Sequence, residues 1–177
     1  MSRGAWKLAI LAFVVLAGAV VIHIAAIVGY PYLLMSAFHR KLVERDGKNV
    51  LVHFPRDASQ RIVRMPSPDL LYSGVAFDLS DGPLRITVPV SEAYTSLSGF
   101  ASNSDNFFCI NDLAAKDGVI DIVLVGPGSP DPGIAGPRLV RSPTKTGLIG
   151  VRYFLGKGDC LPDVETLRRR ATCETCD

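Results

Sequence analysis

The chain has 177 residues, 19 Lys/Arg against 17 Asp/Glu, and four cysteines. Two of the basic residues precede an apolar N-terminal run and every acid follows it, so the remainder carries no net charge. That excludes the basic stripe of a nucleic-acid binder, and the length beyond Tyr30 suits one hydrophobic core rather than two.

From Leu8 to Val28 there is no Asp, Glu, Lys or Arg. At the helical rise this run spans about 30 Å, the thickness of a bilayer's hydrocarbon core. A cleaved signal peptide has a shorter apolar core and a small-x-small cleavage site. Gly29-Tyr30-Pro31-Tyr32 offers no such site, so residues 1–30 are expected to form a retained transmembrane anchor. Trp6, Tyr30 and Tyr32 suit the two interfacial belts. His23 lies inside the span without an acidic companion there, which favours a tolerated neutral imidazole over a proton relay. Flanking charges conflict: Arg3 and Lys7 precede the span, and Arg40, Lys41, Arg45 and Lys48 follow it. A short basic N-terminus behaves as a signal-anchor, so the expected topology is single-pass in the inner (plasma) membrane with the domain in the periplasm.

Tyr32 to Asp46 repeats Leu34, Phe38 and Leu42 at four-residue steps, an amphipathic helix ended by Gly47 and separated from the span by Pro31. The period then shifts to two. Strands are expected at 49–54, 61–65, 75–79, 84–88, 107–110, 119–125 and 147–155, with turns at Pro66-Ser67-Pro68 and Asp81-Gly82-Pro83. A short helix at 162–171 ends in Arg168-Arg169-Arg170, cations suited to a helix C-terminus. The fold class is mainly β (α+β): a β-sandwich-like antiparallel domain over 31–172 with short flanking helices, one N-terminal transmembrane helix before it, and a Cys-containing tail at 173–177.

The Gly126–Gly133 segment is not a phosphate cradle, because Pro127, Pro130 and Pro132 remove backbone donors and no helix follows. Cys109, Cys160, Cys173 and Cys176 read first as candidate structural disulfides in an oxidising compartment, then as a free or tail dithiol, and last as metal ligands. No metal and no cofactor is expected. His39 and His53 sit in helix and strand patterns with no nucleophile elbow in the chain.

The strongest polar constellation is a pair of proline-stiffened turns. One carries Asp69, Tyr72 and Ser73, the other Arg141 and Ser142. Together they are the candidate ligand site, with Arg141 able to hold a carboxylate or another anion bidentately. The structural alternative has Asp69 capping backbone amides and Arg141 tying its loop.

At these residues the chain resembles a known family. Pro68-Asp69-Leu70-Leu71-Tyr72-Ser73 through Asp78-Leu79-Ser80 is similar to the Asp-Thr-Leu-Tyr-Ser…Asp-Leu-Ser segment of the bacterial "domain of unknown function 1254" family. Val125-Gly126-Pro127-Gly128, Val140-Arg141-Ser142-Pro143-Thr144 and Gly150-Val151-Arg152 resemble later signatures in the same order. The resemblance covers roughly Pro31 to Ala171 and implies a β-sandwich-like, often exported domain. In longer relatives a second β domain of another uncharacterised type follows. The resemblance therefore implies a binding or assembly module that pairs with a separately encoded second β domain, a companion membrane protein. The alternative is an envelope enzyme or small-molecule binder of hydrolase type using Asp69, Tyr72 and Arg141. This chain departs from the pattern at Ser67 and Leu70, and an Asp-x-Trp-Thr-like segment is not recognisable around 93–108.

Overall fold

The computed structural model describes residues 3–55, 67–155 and 161–176. Helix α1 runs unbroken from Arg3 to Asp46. The strands are β1 Leu51–His53, β2 Leu70–Asp78, β3 Leu84–Pro89, β4 Thr95–Ala101, β5 Asn106–Asn111, β6 Val119–Val125, β7 Arg138–Arg141, β8 Thr146–Phe154 and β9 Thr172–Thr175. A 3-10 turn at Asp112–Ala114 follows β5, and helix α2, Leu161–Arg168, precedes β9. The expected strand at 61–65 lies outside the described residues.

Two sheets face each other. One has the order β1-β2-β8-β4-β5 and the other β7-β6-β3-β9. Among the described residues the strand pairings are antiparallel except the parallel pairing of β6 with β7. Inward residues of both sheets form one core, with Val75, Phe77, Leu97 and Val151 from the first and Leu84, Ile86, Ile122 and Leu124 from the second. This is the mainly β sandwich expected from the turn-punctuated apolar runs.

Pro31 does not separate two helices: it lies inside α1. Proline removes one ladder hydrogen bond and crowds the preceding turn, a cost of about 3 kcal/mol in a water-exposed helix. Packing on its far side offsets this. Ser104 Oγ donates to the Pro31 carbonyl (3.2 Å), His39 Nε2 donates to the Phe77 carbonyl (3.0 Å), and Met35 and Leu42 are buried against the sheet. α1 thus crosses the outer face of the five-stranded sheet from the β4–β5 turn towards β2.

Four strands depart from expectation, among them β7, which ends at Arg141, so this residue closes a strand rather than lying in a turn. β2 begins at Leu70, so Tyr72 and Ser73 stand on a strand rather than in a turn. β4, Thr95-Ser-Leu-Ser-Gly-Phe-Ala101, is a central strand buried along nearly its whole length, although its sequence is half small polar residues. The Cys-containing tail forms β9, which pairs with β3 through Ile86↔Cys173. Gly147 is demanded by close approach, since a Cβ there would collide with the Phe100 carbonyl oxygen and the Phe77 ring.

Candidate functional site

Asp69 and Arg141 lie at opposite ends of the sandwich. Asp69 enters β2, where Leu70 pairs with Phe154, and the Asp69 carbonyl accepts the Leu155 N–H (2.8 Å). Arg141 and Ser142 precede Thr146, which pairs with Asp78 at the other end of β2. The intervening strand length is about 27 Å at the usual rise per residue. Local bonds hold Tyr72, Arg141 and Ser142. Tyr72 Oη accepts the Ser67 N–H (3.2 Å) and closes its turn, and Arg141 donates to the Ser129 carbonyl of the proline-rich loop. Ser142 is buried, with its N–H on the Val125 carbonyl (2.8 Å) and its hydroxyl on the Thr144 carbonyl (2.6 Å).

Ser73 belongs to a different cluster. β1 pairs with β2 through His53↔Ser73, which sets both side chains on the core side, and His53 Nδ1 and Ser73 Oγ share a 2.8 Å hydrogen bond. Over them lies Arg168 of α2, only 4% exposed. Its guanidinium donates to the Phe54 carbonyl (3.1 Å), the Tyr72 carbonyl (2.9 Å) and, in fork geometry, Glu165 (2.6 and 2.9 Å). Arg169 also reaches Glu165 (3.1 Å). The Arg168–Arg170 run is therefore not simply a solvated helix end: its first member clasps α2 onto the ends of β1 and β2.

The electrostatics follow from this arrangement. Hydrogen bonds from Arg168 hold the Glu165 carboxyl below its ordinary range. Burial, then the Arg168 charge, lowers the affinity of His53 for a proton. The Tyr153 hydroxyl, raised in pKa by burial, is enclosed in the core with no hydrogen-bond partner among the described residues. Sequence reasoning missed His53, Glu165 and Arg168 as partners because their contacts bridge distant segments.

Cys109, Cys173 and Cys176 carry free thiols, and Cys160 lies outside the described residues. Burial, reinforced by Glu174 and Cys176, pushes the Cys173 thiol up to about 12, which keeps it protonated and unreactive. No group of three or more His, Cys, Asp and Glu is placed to hold a metal among the described residues.

Hollows open on the described surface. Among the described residues β7 pairs with Ile122–Val125 of β6, and a groove of about 760 Å³ opens beside the rest of β6. Lys116, Asp117 and Arg138 line it with Ile120 and Ile122. Two smaller cavities flank α1 where it crosses the sheet, of about 180 Å³ beside Phe38 and Leu42 and about 210 Å³ beside Tyr32 and His39. At the pole away from the α1 crossing, Tyr94, Phe154 and Leu113 are exposed, Leu113 by 88%, and the Phe154 N–H bonds the Tyr94 carbonyl (2.9 Å).

A family model described as "Protein of unknown function (DUF1254)" matches residues 48–175. The chain belongs to the DUF1254 family. The match takes in every strand of the sandwich, β1 through β9, and the family brings no assigned activity. No curated protein matches the chain. Among solved structures, the VPA0106 protein from Vibrio parahaemolyticus is similar at a TM-score of 0.65 and 13% identity, covering 85% of this chain and 36% of that one. An uncharacterized protein from Burkholderia cenocepacia gives a TM-score of 0.48 at 20% identity, covering 84% of this chain and 41% of that one. The first likeness shows the fold, and this DUF1254 chain spans little more than a third of that relative's length.

Proposed function

We propose that the protein is a single-pass envelope protein of the bacterial inner membrane whose periplasmic sandwich is a binding or assembly module for a separately encoded second β domain. Among the described residues, one helix is long and apolar enough to cross a membrane. The observation that carries the reading is the placement of two features at opposite poles. α1 docks over the β4–β5 turn and Gly147, whereas Tyr94, Leu113 and Phe154 are exposed at the far end of the same strands. Exposed aromatic and leucine side chains clustered away from an anchor suit a protein partner. The test is a photo-crosslinking amino acid at Leu113 or Tyr94 in intact cells, with Asp131 in the proline-rich loop as control. An adduct with one β-domain membrane protein at the pole positions and not at Asp131 supports the module. Absence of a pole adduct in cells that express the labelled protein in full rejects it.

A small-molecule binder is the second reading, favoured by the 760 Å³ groove, whose size and mixed lining suit a polar ligand. Lys116 and Arg138 would meet an anionic group there. Thermal-shift screening of anionic metabolites, with hits abolished by Lys116→Ala or Arg138→Ala, tests it.

A further inference from the structure

The smaller cavity beside α1 has a composition and a location that go together. Leu34, Phe38 and Leu42 form one stripe on α1, from 56% exposed at Leu34 to 4% at Leu42. The eight steps from Leu34 to Leu42 cover about 12 Å along the axis. Behind Leu34 the exposed apolar surface continues through Leu33, Tyr30 and Val28 into the span. The stripe therefore leads from the apolar N-terminal run to the hollow of about 180 Å³ beneath Phe38 and Leu42.

The far wall of that hollow is the outer face of the sheet, with Phe100 and Leu148 on neighbouring strands. Its floor is Gly150, because the Phe54 ring covers the neighbouring Gly74. Gly74 pairs with Gly150 across β2 and β8. A Cβ at Gly150 would meet only a Phe100 ring carbon, at 3.9 Å, so the space above it is open. The hollow is open on one side and lined almost entirely by apolar atoms, so hydrocarbon placed in it removes apolar surface from water. Arg152, exposed and two residues along β8 on the same face as Gly150, lines the hollow and supplies a cation for a phosphate.

We propose that this hollow takes an acyl-chain segment of an anionic phospholipid drawn from the bilayer that α1 crosses, with the lipid phosphate against Arg152. The inference rests on the reading of α1 as a membrane span. A soluble hydrophobic ligand would have no path that favours it, whereas a lipid reaches the hollow along the Leu34–Phe38–Leu42 stripe without leaving an apolar surface. The bound chain would wedge between helix and sheet and couple the domain to its membrane through lipid as well as protein.

The experiment uses the full chain in nanodiscs of phosphatidylglycerol and phosphatidylethanolamine, doped with phosphatidylglycerol carrying a diazirine at the acyl terminus, with adducts mapped by mass spectrometry. Adducts are expected both in 8–28 and on the β4 and β8 peptides around Phe100 and Leu148. Gly150→Leu, which fills the hollow from the sheet, should lower the β4 and β8 adducts at least tenfold and leave the span adducts unchanged. Phe38→Trp fills it from the helix without touching the sheet backbone and should do the same, which guards against misfolding of the first variant. Arg152→Gln should lower capture of phosphatidylglycerol more than capture of phosphatidylcholine carrying the same probe. Adducts confined to 8–28 in the unmodified protein, or β8 adducts unchanged in both filled variants, would overturn the lipid site while leaving the span intact. No adducts anywhere would overturn the span itself.

Discussion

Arg168 separates two physical accounts of the C-terminal basic run. On a solvated helix end, Arg168→Ala changes stability by no more than about 0.5 kcal/mol. The structure instead buries the guanidinium, with two backbone carbonyls and the Glu165 carboxylate as acceptors. Truncation removes the Arg168 donor from the Phe54 carbonyl, leaves the Tyr72 carbonyl with the Phe54 N–H alone (3.0 Å), and leaves Glu165, about a quarter exposed, with Arg169. Breaking a buried ion pair by removing one partner costs about 3–5 kcal/mol, and the partial exposure of Glu165 sets the expectation near the lower end. Arg168→Lys keeps the charge but loses the fork, and should recover no more than about half of the loss. The assay is urea unfolding followed by far-UV circular dichroism in a mild detergent. With slopes of about 1–3 kcal/mol per molar, Arg168→Ala should lower the midpoint by about 1 M or more. A midpoint within about 0.2 M of the unmodified protein, or a lysine variant as stable as arginine, would refute the clasp.

Other outcomes follow from the same geometry. His53 binds a proton less readily folded than unfolded, so the unfolded chain takes up more protons as pH falls through the ordinary value of 6.5; stability present above that pH should decline below it, and His53→Gln should flatten the decline in urea midpoints taken between pH 7.5 and 5. The Glu165 carboxyl is also held low, so its stabilisation is present above its ordinary value of 4.5 and is lost at more acid pH; Glu165→Gln should be less stable than the unmodified protein at neutral pH, and the gap should close as pH falls below that value. Tyr153→Phe removes a buried hydroxyl that has no partner among the described residues and should stabilise the domain by about 1 kcal/mol, read as a rise in the thermal midpoint. Gly147→Ala should cost about 3 kcal/mol because its Cβ meets backbone, whereas Gly150→Ala should fall within about 1 kcal/mol of the unmodified protein; equal effects in urea unfolding would contradict the packing described for β8.

The strands that were legible in the sequence are those whose side chains carry the apolar signal themselves. Leu84-Arg-Ile-Thr-Val88 alternates cleanly, and Val119-Ile-Asp-Ile-Val-Leu-Val125 is a near-continuous β-branched run. β4 was not legible, because Ser96 and Ser98 face a covered surface and the strand is held by its neighbours rather than by its own hydrophobicity. Pro31 signalled a break that tertiary docking of Met35 and Leu42 overrides. The candidate site suffered from the same locality. Asp69, Tyr72 and Arg141 were joined by the stiffness of their turns, but strand register decides where turns meet, and β8 sets these two at opposite ends. Conversely Arg168 looked like a simple helix terminus, and its contacts to Phe54 and Tyr72 span more than ninety residues of chain. No pattern within a helix announces such a partner.

The most direct test of the assembly account is purification of the full chain from its native membrane in a gentle detergent, with mass spectrometry of the intact complex. The account predicts a second membrane protein carrying its own β domain, recovered in fixed ratio and lost when Leu113 and Tyr94 are both replaced by serine. Recovery of the chain alone, at the mass of a monomer or of a homo-oligomer, would contradict it.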